Sequence, residues 1–382
     1  MPSAFSLPAP CAAPPACSNP AHFSQARFGH PHRCFSLYVC ITSDLLQSLN
    51  SHLSHFRDFH LARGISLKVL IPPGKSGNVL ATIAIGEQYL QPFMKYAYHT
   101  WEMYCHRHDL GLILFDDHLI AKSDPNWKNP YWQKFLIGDN LAKQNLGVSN
   151  VCCMDTDILI SPLAPNIFAN RNESKVGLVS LRQNLAYPYD LSLRRMAFLR
   201  NRFYDANYPL DSSLFVSLDG LYGMVGLDTQ DDEACSGVFV FSCQNHGMLL
   251  KNYYLNFGQS VMERDGGGEQ IFLNHFVQSE GLVEWIEYGF QAMWTYEMAN
   301  KYPFLYSDHR ENLGLIKQCI EASLFTNYFL HFAGSWHEGK MWEQVKVFDT
   351  PESLAMFRDF AEYLKTPVYG KPLGAIKPKE IS

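Results

Sequence analysis

The chain has no apolar run that could cross a bilayer as a helix. Its best candidate, Cys34 to Ser43, is far shorter than the ~20 apolar residues that a spanning helix needs. Its ten cysteines include no CxxC pair and no regular framework, which argues against a zinc ribbon and a disulfide scaffold. Buried thiols in a reducing cytosol account for them. Positive charge is not in excess: 31 Lys and Arg stand against 37 Asp and Glu, a net charge of −6, which excludes a general nucleic-acid binder. The first 33 residues lack the continuous apolar core of a secretory signal, and no internal repeat is present. These absences lead to the expectation of a cytoplasmic or peripheral-membrane protein, with the oligomeric state left open.

What is there is core-forming material. Hydrophobic residues make up 47% of the 382 and aromatic residues 14%, enough for one large α/β domain. Residues 1–33 carry seven prolines among Ala, Ser and His and are expected to be disordered. The segment 1–75 reads as an N-terminal extension with a helix expected over Asp44 to Leu61. It ends in a hinge at Pro72 to Gly77. Gly74-Lys75-Ser76 lacks the first glycine of a phosphate loop, because Val69 occupies that place, and a strand follows where a helix is required.

The folded core is expected to start near Asn78. Strands are expected over Val79–Ile85, Gly111–Phe115, 151–155, Val176–Leu181, Gly237–Ser242 and Tyr328–Phe332. Helices are expected over Tyr89–His108, Tyr131–Asn145, Met248–Phe257 and Glu269–Val277, with Gly147 capping the second. Strand–helix–strand order implies parallel pairing with right-handed crossovers. Ligands of such sheets gather at the carboxyl ends of the strands.

Asp155-Thr156-Asp157 sits at such an end, after the apolar Val151-Cys152-Cys153-Met154. Strand alternation puts both carboxylates on one side, where they repel unless a cation lies between them. A calcium loop of the EF-hand kind fails, because Leu159 and Ile160 replace its fifth-position acid or Asn and its sixth-position Gly. A haloacid-dehalogenase-type phosphatase would want Thr or Val at Leu159 and the motif on its first strand. The remaining readings are a divalent ion bridging the diphosphate of a nucleotide-sugar and a solvated turn with two acids.

Four further motifs follow in order around the acidic pair. Trp132-Gln133-Lys134 lies upstream. Cys235-Ser236-Gly237-Val238, Gly268-Glu269-Gln270-Ile271-Phe272-Leu273-Asn274 and His331-Phe332-Ala333-Gly334, with Lys340 beyond, lie downstream. Together, over roughly Val79 to Trp342, these resemble the GT-A-fold glycosyltransferases. The likeness is to the retaining glycogenin-like and yeast galactosyl/mannosyltransferase-like groups in particular. The chain departs from the pattern at Cys235 (usually Asn), Glu269 (usually Asp) and His337 (often Lys).

The resemblance implies a single Rossmann-like GT-A domain over 76–345. Its mixed, mainly parallel sheet would carry helices on both faces, an acceptor-side insertion at 183–233, and a C-terminal helix and tail at 346–382. It implies a metal-dependent enzyme moving a hexose or pentose from a nucleoside-diphosphate sugar to a glycan or other hydroxyl acceptor, with retention. Mn²⁺ or Mg²⁺ would be held by Asp157, His331 and Asp155, with contact from Asp155 to the donor ribose kept open. Ile85, Gly86, Glu87 and Asp116 would line the base and ribose pocket. Lys134, Arg182, Gly237, His337 and Lys340 would contact the donor's phosphates or sugar. Gln270 would face the anomeric carbon, with Glu269 as the alternative nucleophile. Two other functions compete. A sugar nucleotidyltransferase would need a Gly-rich basic loop where Gly86-Glu87-Gln88 is too short. A non-catalytic carbohydrate-binding relative would have lost a ligand or Gln270.

Overall fold

The computed structural model describes residues 57–60, 66–204, 213–264, 268–334 and 336–365. The expected disordered start, most of the helix expected over Asp44 to Leu61 and the tail after 365 lie outside the described residues. The last four positions that helix shares with them, Arg57–His60, form a strand instead.

In chain order the strands are β1 (Arg57–His60), β2 (Ser66–Ile71), β3 (Asn78–Ile83), β4 (Gly111–Phe115), β5 (Asn150–Met154), β6 (Ile158–Ile160), β7 (Val176–Ser180), β8 (Ala234–Ser242), β9 (Val283–Ile286), β10 (Ala292–Met293) and β11 (Phe329–His331). Eight form one sheet in the order β1-β2-β4-β3-β5-β8-β7-β9. The pairs β3/β4, β3/β5 and β7/β9 are parallel; β1/β2, β2/β4, β5/β8 and β7/β8 are antiparallel. Thus β2 and β8 run against the other six, and the sheet is mixed but mainly parallel in direction. Leu112 to Leu114, Val151 to Met154 and the whole of β8 are buried, as continuous apolar runs in a sheet covered on both faces must be.

The sheet therefore begins before Asn78. β2 pairs with β4 from Lys68↔Leu114 to Ile71↔Leu112, with a register shift between. The intervening Lys68 and the prolines that follow β2 make it read as linker, yet Lys68 makes an ion pair with Asp116 at 2.6 Å at the far end of β4.

The expected helix from Tyr89 to His108 is broken. α1 (Glu87–Pro92) runs into a π-helical turn, Phe93–Ala97, and then α2 (Tyr98–His108). Pro92 carries no N–H, so the ladder loosens there. The helix expected over Tyr131–Asn145 is a 3₁₀ segment, Trp132–Leu136, followed by α3 (Ile137–Ala142), which Lys143 rather than Gly147 closes. The remaining helices are α4 (Tyr189–Phe203), α5 (Leu218–Val225), α6 (Cys243–Leu255), α7 (Gln270–Ser279), α8 (Trp294–Lys301), α9 (Leu313–Thr326) and α10 (Pro351–Tyr363). Among the described residues no helix is long and apolar enough to cross a membrane.

Two cores flank the sheet. One gathers Phe93, Trp101, Met196, Trp294 and Ile320; the other gathers Trp132, Phe135, Tyr254 and Phe272. Cys152 and Cys153 point into opposite cores, as neighbours on a strand should, and both are free thiols.

A second, three-stranded sheet sets the geometry of the site. Its order is β10-β11-β6, with His331 opposite Ile158 on one side and Met293 on the other. Asp155 and Asp157 lie in the short crossing from β5, in the large sheet, to β6, in the small one. Phe332 N–H donates to the Asp157 carbonyl at 3.0 Å and Asp155 N–H to the Gly237 carbonyl at 2.9 Å. These bonds tie the end of β11 and the interior of β8 to the acidic loop.

Candidate metal centre and its surroundings

Asp155, Asp157 and His331 each offer one ligand atom within 4.8 Å of the others. His331 Nε2 lies 3.2 Å from Asp157 Oδ1 and 3.9 Å from Asp155 Oδ2. An octahedral ion with ligands at about 2.1 Å places neighbouring ligand atoms about 3.0 Å apart and opposite ones about 4.2 Å apart, so these separations suit one cation. Asp157 Oδ1 is buried and takes no well-aligned hydrogen bond, an acceptor that a cation would satisfy. The donor set, two carboxylates and one imidazole, suits Mn²⁺.

Without an ion the carboxylates and imidazole pair with each other. Burial acts to lower the His331 pKa, but the Asp157 carboxylate outweighs it and holds the imidazolium well above its usual range. Burial acts to raise Asp157, and His331 in turn holds it below the usual carboxylate value.

Behind Asp155 stands a sealed lysine. Lys134 Nζ lies 2.7 Å from Asp155 Oδ1, 3.1 Å from Glu269 Oε1 and 3.3 Å from the Ser236 carbonyl. Burial opposes its charge, yet Asp155 and Glu269 raise its pKa well above normal. Burial raises Glu269 against the pull of Lys134. Lys134, expected to contact the donor, has its charge paired with two carboxylates. Glu269, 2% exposed, is the lysine's partner rather than an open nucleophile.

Gln270, the first residue of α7, faces β8. Its Nε2 donates to Glu233 Oε1 at 2.8 Å, and its Oε1 accepts weakly from Ser236 N–H at 3.4 Å. Glu233 is also gripped by Arg182, whose Nε and Nη2 lie 2.9 and 2.7 Å from Glu233 Oε2, while Nη2 donates to the Val216 carbonyl. Burial pushes the Glu233 pKa up, and Arg182 opposes it. Asn274, one turn along α7, clamps β8 by accepting from Ala234 N–H and donating to the Ala234 carbonyl. Arg182 is thus placed to hold Gln270 through Glu233.

Gly237 also makes room for a side chain. A Cβ there would fall 2.2 Å from His331 Cε1 and 2.8 Å from Gln291 Nε2, so the missing side chain makes room for the imidazole. Cys235 Sγ lies 3.6 Å from His331 Nδ1, so the residue that departs from the family pattern touches the candidate ligand.

Ile85, Gly86 and Glu87 lie where β3 gives way to α1. Gly86 has φ 94°, a conformation open to glycine, and accepts from Tyr89 N–H and Leu90 N–H. Glu87 accepts from Gln91 at 2.7 Å. Tyr89 and Tyr131 are about half exposed. Burial pushes the Tyr131 hydroxyl up to about 12, the neighbouring Tyr89 adds to it, and Asp155 contributes to the shift. Two residues expected downstream differ from that reading. Lys340 is exposed and pairs with Glu343 at 2.7 Å. His337 is packed edge-on to Tyr204, and burial lowers its pKa, so it is no fixed positive charge near neutral pH.

Sequence reasoning missed Glu233, Gln291, Tyr89 and Tyr131. The tyrosines carried a signal, as aromatics beside Gly86 and Lys134; Glu233 and Gln291 did not, because both sit outside the five motifs. A cavity of about 410 Å³ lies beyond β9, lined by Asn184, Trp285, Glu287, Tyr288, Asn327 and Tyr328 among others.

No family model matches the chain, and no curated protein matches it. Among solved structures it is similar to a glycosyltransferase involved in the glycosylation of the major capsid of PBCV-1, at 9% identity over 70% of this chain and 99% of that one, with a TM-score of 0.40. It is also similar to the galactosyltransferase LgtC solved with donor and acceptor sugar analogs, at 11% identity over 77% of this chain and 98% of that one, with a TM-score of 0.36. At these scores the reading of the site rests on its own geometry.

Proposed function

We propose that the chain is a metal-dependent glycosyltransferase that moves a hexose or pentose from a nucleoside-diphosphate sugar to a glycan or other hydroxyl acceptor with retained configuration. The observation that carries this reading is the convergence of Asp155, Asp157 and His331 at the carboxyl end of β5. Gln270 and Gly237 on the adjoining elements add to it. When bound, Mn²⁺ or Mg²⁺ would act as a Lewis acid toward the donor's diphosphate.

The protein's own groups do the rest. Asp157 and His331 would hold the ion, and Asp155, steadied by Lys134, would complete the site or meet the donor ribose. Tyr89 and Tyr131, with Ile85, Gly86 and Glu87, offer a face for the base. Asp116 lies at the end of β4 for the ribose side. Gln270 supplies an amide oxygen for the oxocarbenium-like centre. An amide is a poor nucleophile, which favours return of the acceptor on the face the diphosphate leaves. The cavity beyond β9, with Trp285, Tyr328 and Glu287, suits an acceptor with apolar faces and hydroxyl edges.

The test is incubation with Mn²⁺ and a panel of nucleotide-sugars, with measurement of the nucleoside diphosphate released. Release with at least one donor, lost on chelation, is expected. No release with any donor, together with unchanged nucleotide binding in Asp157→Ala, would remove the reading.

A further inference from the structure

His331 reaches the acidic loop with one ring nitrogen; the other is held from behind. Gln291 closes the 3₁₀ turn Tyr288–Gln291, is fully buried, and places its amide 3.1 Å from His331 Nδ1. A buried amide takes the orientation that matches its donors to acceptors. For Gln291 that orientation sends its nitrogen to the Cys235 carbonyl at 3.2 Å. Its oxygen then accepts from Val238 N–H at 3.1 Å and from His331 Nδ1 at 3.1 Å.

Three donor–acceptor contacts fix this amide, and two of them come from the backbone of β8. The amide therefore cannot turn to offer its N–H to the imidazole without breaking both. In the neutral imidazole that a cation requires, an Nδ1 that donates leaves the lone pair on Nε2. Nε2 is the atom 3.2 Å from Asp157 and 3.9 Å from Asp155. The backbone aligns the same parts, because Gln291 directly precedes β10, where Met293 pairs with His331.

We propose that Gln291 is the positioning residue of the candidate metal centre: its amide oxygen fixes the ring and tautomer of His331 so that Nε2 is presented to a divalent cation. The proposal rests on the metal-site reading above. Gly237 belongs to the same device, since a side chain there would strike both the imidazole and the amide. Outer partners of this kind orient the ligand and raise its basicity.

The experiment is a Mn²⁺ titration of the full chain followed by electron paramagnetic resonance, with ¹⁴N coupling from imidazole as the spectroscopic readout. Wild type is compared with Gln291→Met and Gln291→Glu. Methionine keeps the volume and removes the acceptor; glutamate keeps the acceptor and removes the donor to Cys235. Gln291→Met is expected to bind Mn²⁺ about 10- to 100-fold more weakly, with reduced or lost ¹⁴N coupling. Gln291→Glu is expected to retain the coupling and an affinity near that of wild type. Equal affinity and equal coupling in wild type and Gln291→Met would overturn the proposal. So would a loss in Gln291→Glu as large as that in Gln291→Met. If Gln291→Met does not fold, Gln291→Leu takes its place in the same comparison, with the same two outcomes. Failure of wild type itself to bind Mn²⁺ would instead remove the metal-site reading.

Discussion

Lys134 Nζ lies 2.7 Å from Asp155 Oδ1, with the lysine side chain almost wholly withdrawn from solvent. A buried cation of this kind is held by its partners and holds them in turn. Removing it leaves Asp155 and Glu269 facing each other without a countercharge. Breaking one side of a buried pair costs about 3–5 kcal/mol. Lys134→Met is therefore expected to lose about that much stability at pH 7 in urea unfolding. Adding Glu269→Gln should restore part of it, because one of the two stranded charges is then gone. Additive losses in the double variant would contradict the pairing.

Gly237→Ala tests the space behind His331. The added Cβ would fall 2.2 Å from the imidazole carbon, so the ring must shift. The expected cost is about 1–3 kcal/mol of overpacking, with a weaker Mn²⁺ affinity in the same variant. Unchanged stability and unchanged metal affinity would show that the ring is free to move.

Gln270→Ala separates chemistry from metal binding. Gln270 touches Glu233 and Ser236 but none of the candidate ligands. Turnover is expected to fall about 100-fold or more, as for loss of one electrostatic stabiliser, while Mn²⁺ affinity stays within about twofold. A fall in Mn²⁺ affinity matching the fall in turnover would place Gln270 in the metal site instead.

Much of this arrangement was legible in the sequence. The apolar run of β5 followed by two acids at period two marked the sheet edge, and the order of Gly237, Gln270 and His331 behind it marked the companions. Local pattern carries such signals, because strand and helix periods are local. β2 was hidden because Lys68 interrupts it and its pairing with β4 is remote in sequence. Gln291 was hidden because β10 is two residues long, too short to show a period, and its partner His331 lies 40 residues on. The partners of Lys134 were hidden because a lysine in isolation reads as a solvated or ligand-facing charge. Only the fold brings Asp155 and Glu269 to either side of it.

Asp139, on α3, gives a pH test away from the site. Burial acts to raise its pKa, but hydrogen bonds from Lys143 and Lys251 outweigh that and hold it below the usual carboxylate value. A depressed carboxylate stabilises the fold above the unfolded value and loses that contribution as pH falls through the folded one. Asp139→Asn should cost about 1 kcal/mol at pH 7, given that both lysines are partly exposed. The gap from wild type should close progressively below about pH 4, as measured by urea unfolding across the range. A pH-independent gap would contradict the ion-pair account.

The central claim is that Asp155, Asp157 and His331 hold one divalent ion. Anomalous diffraction from a crystal grown with Mn²⁺ and a nucleoside diphosphate tests it most directly. The account predicts a single strong peak about 2.0–2.3 Å from an Asp157 oxygen and His331 Nε2, with diphosphate oxygens on its open side. An ordered nucleotide with no peak there, or a peak coordinated by other residues, would contradict it.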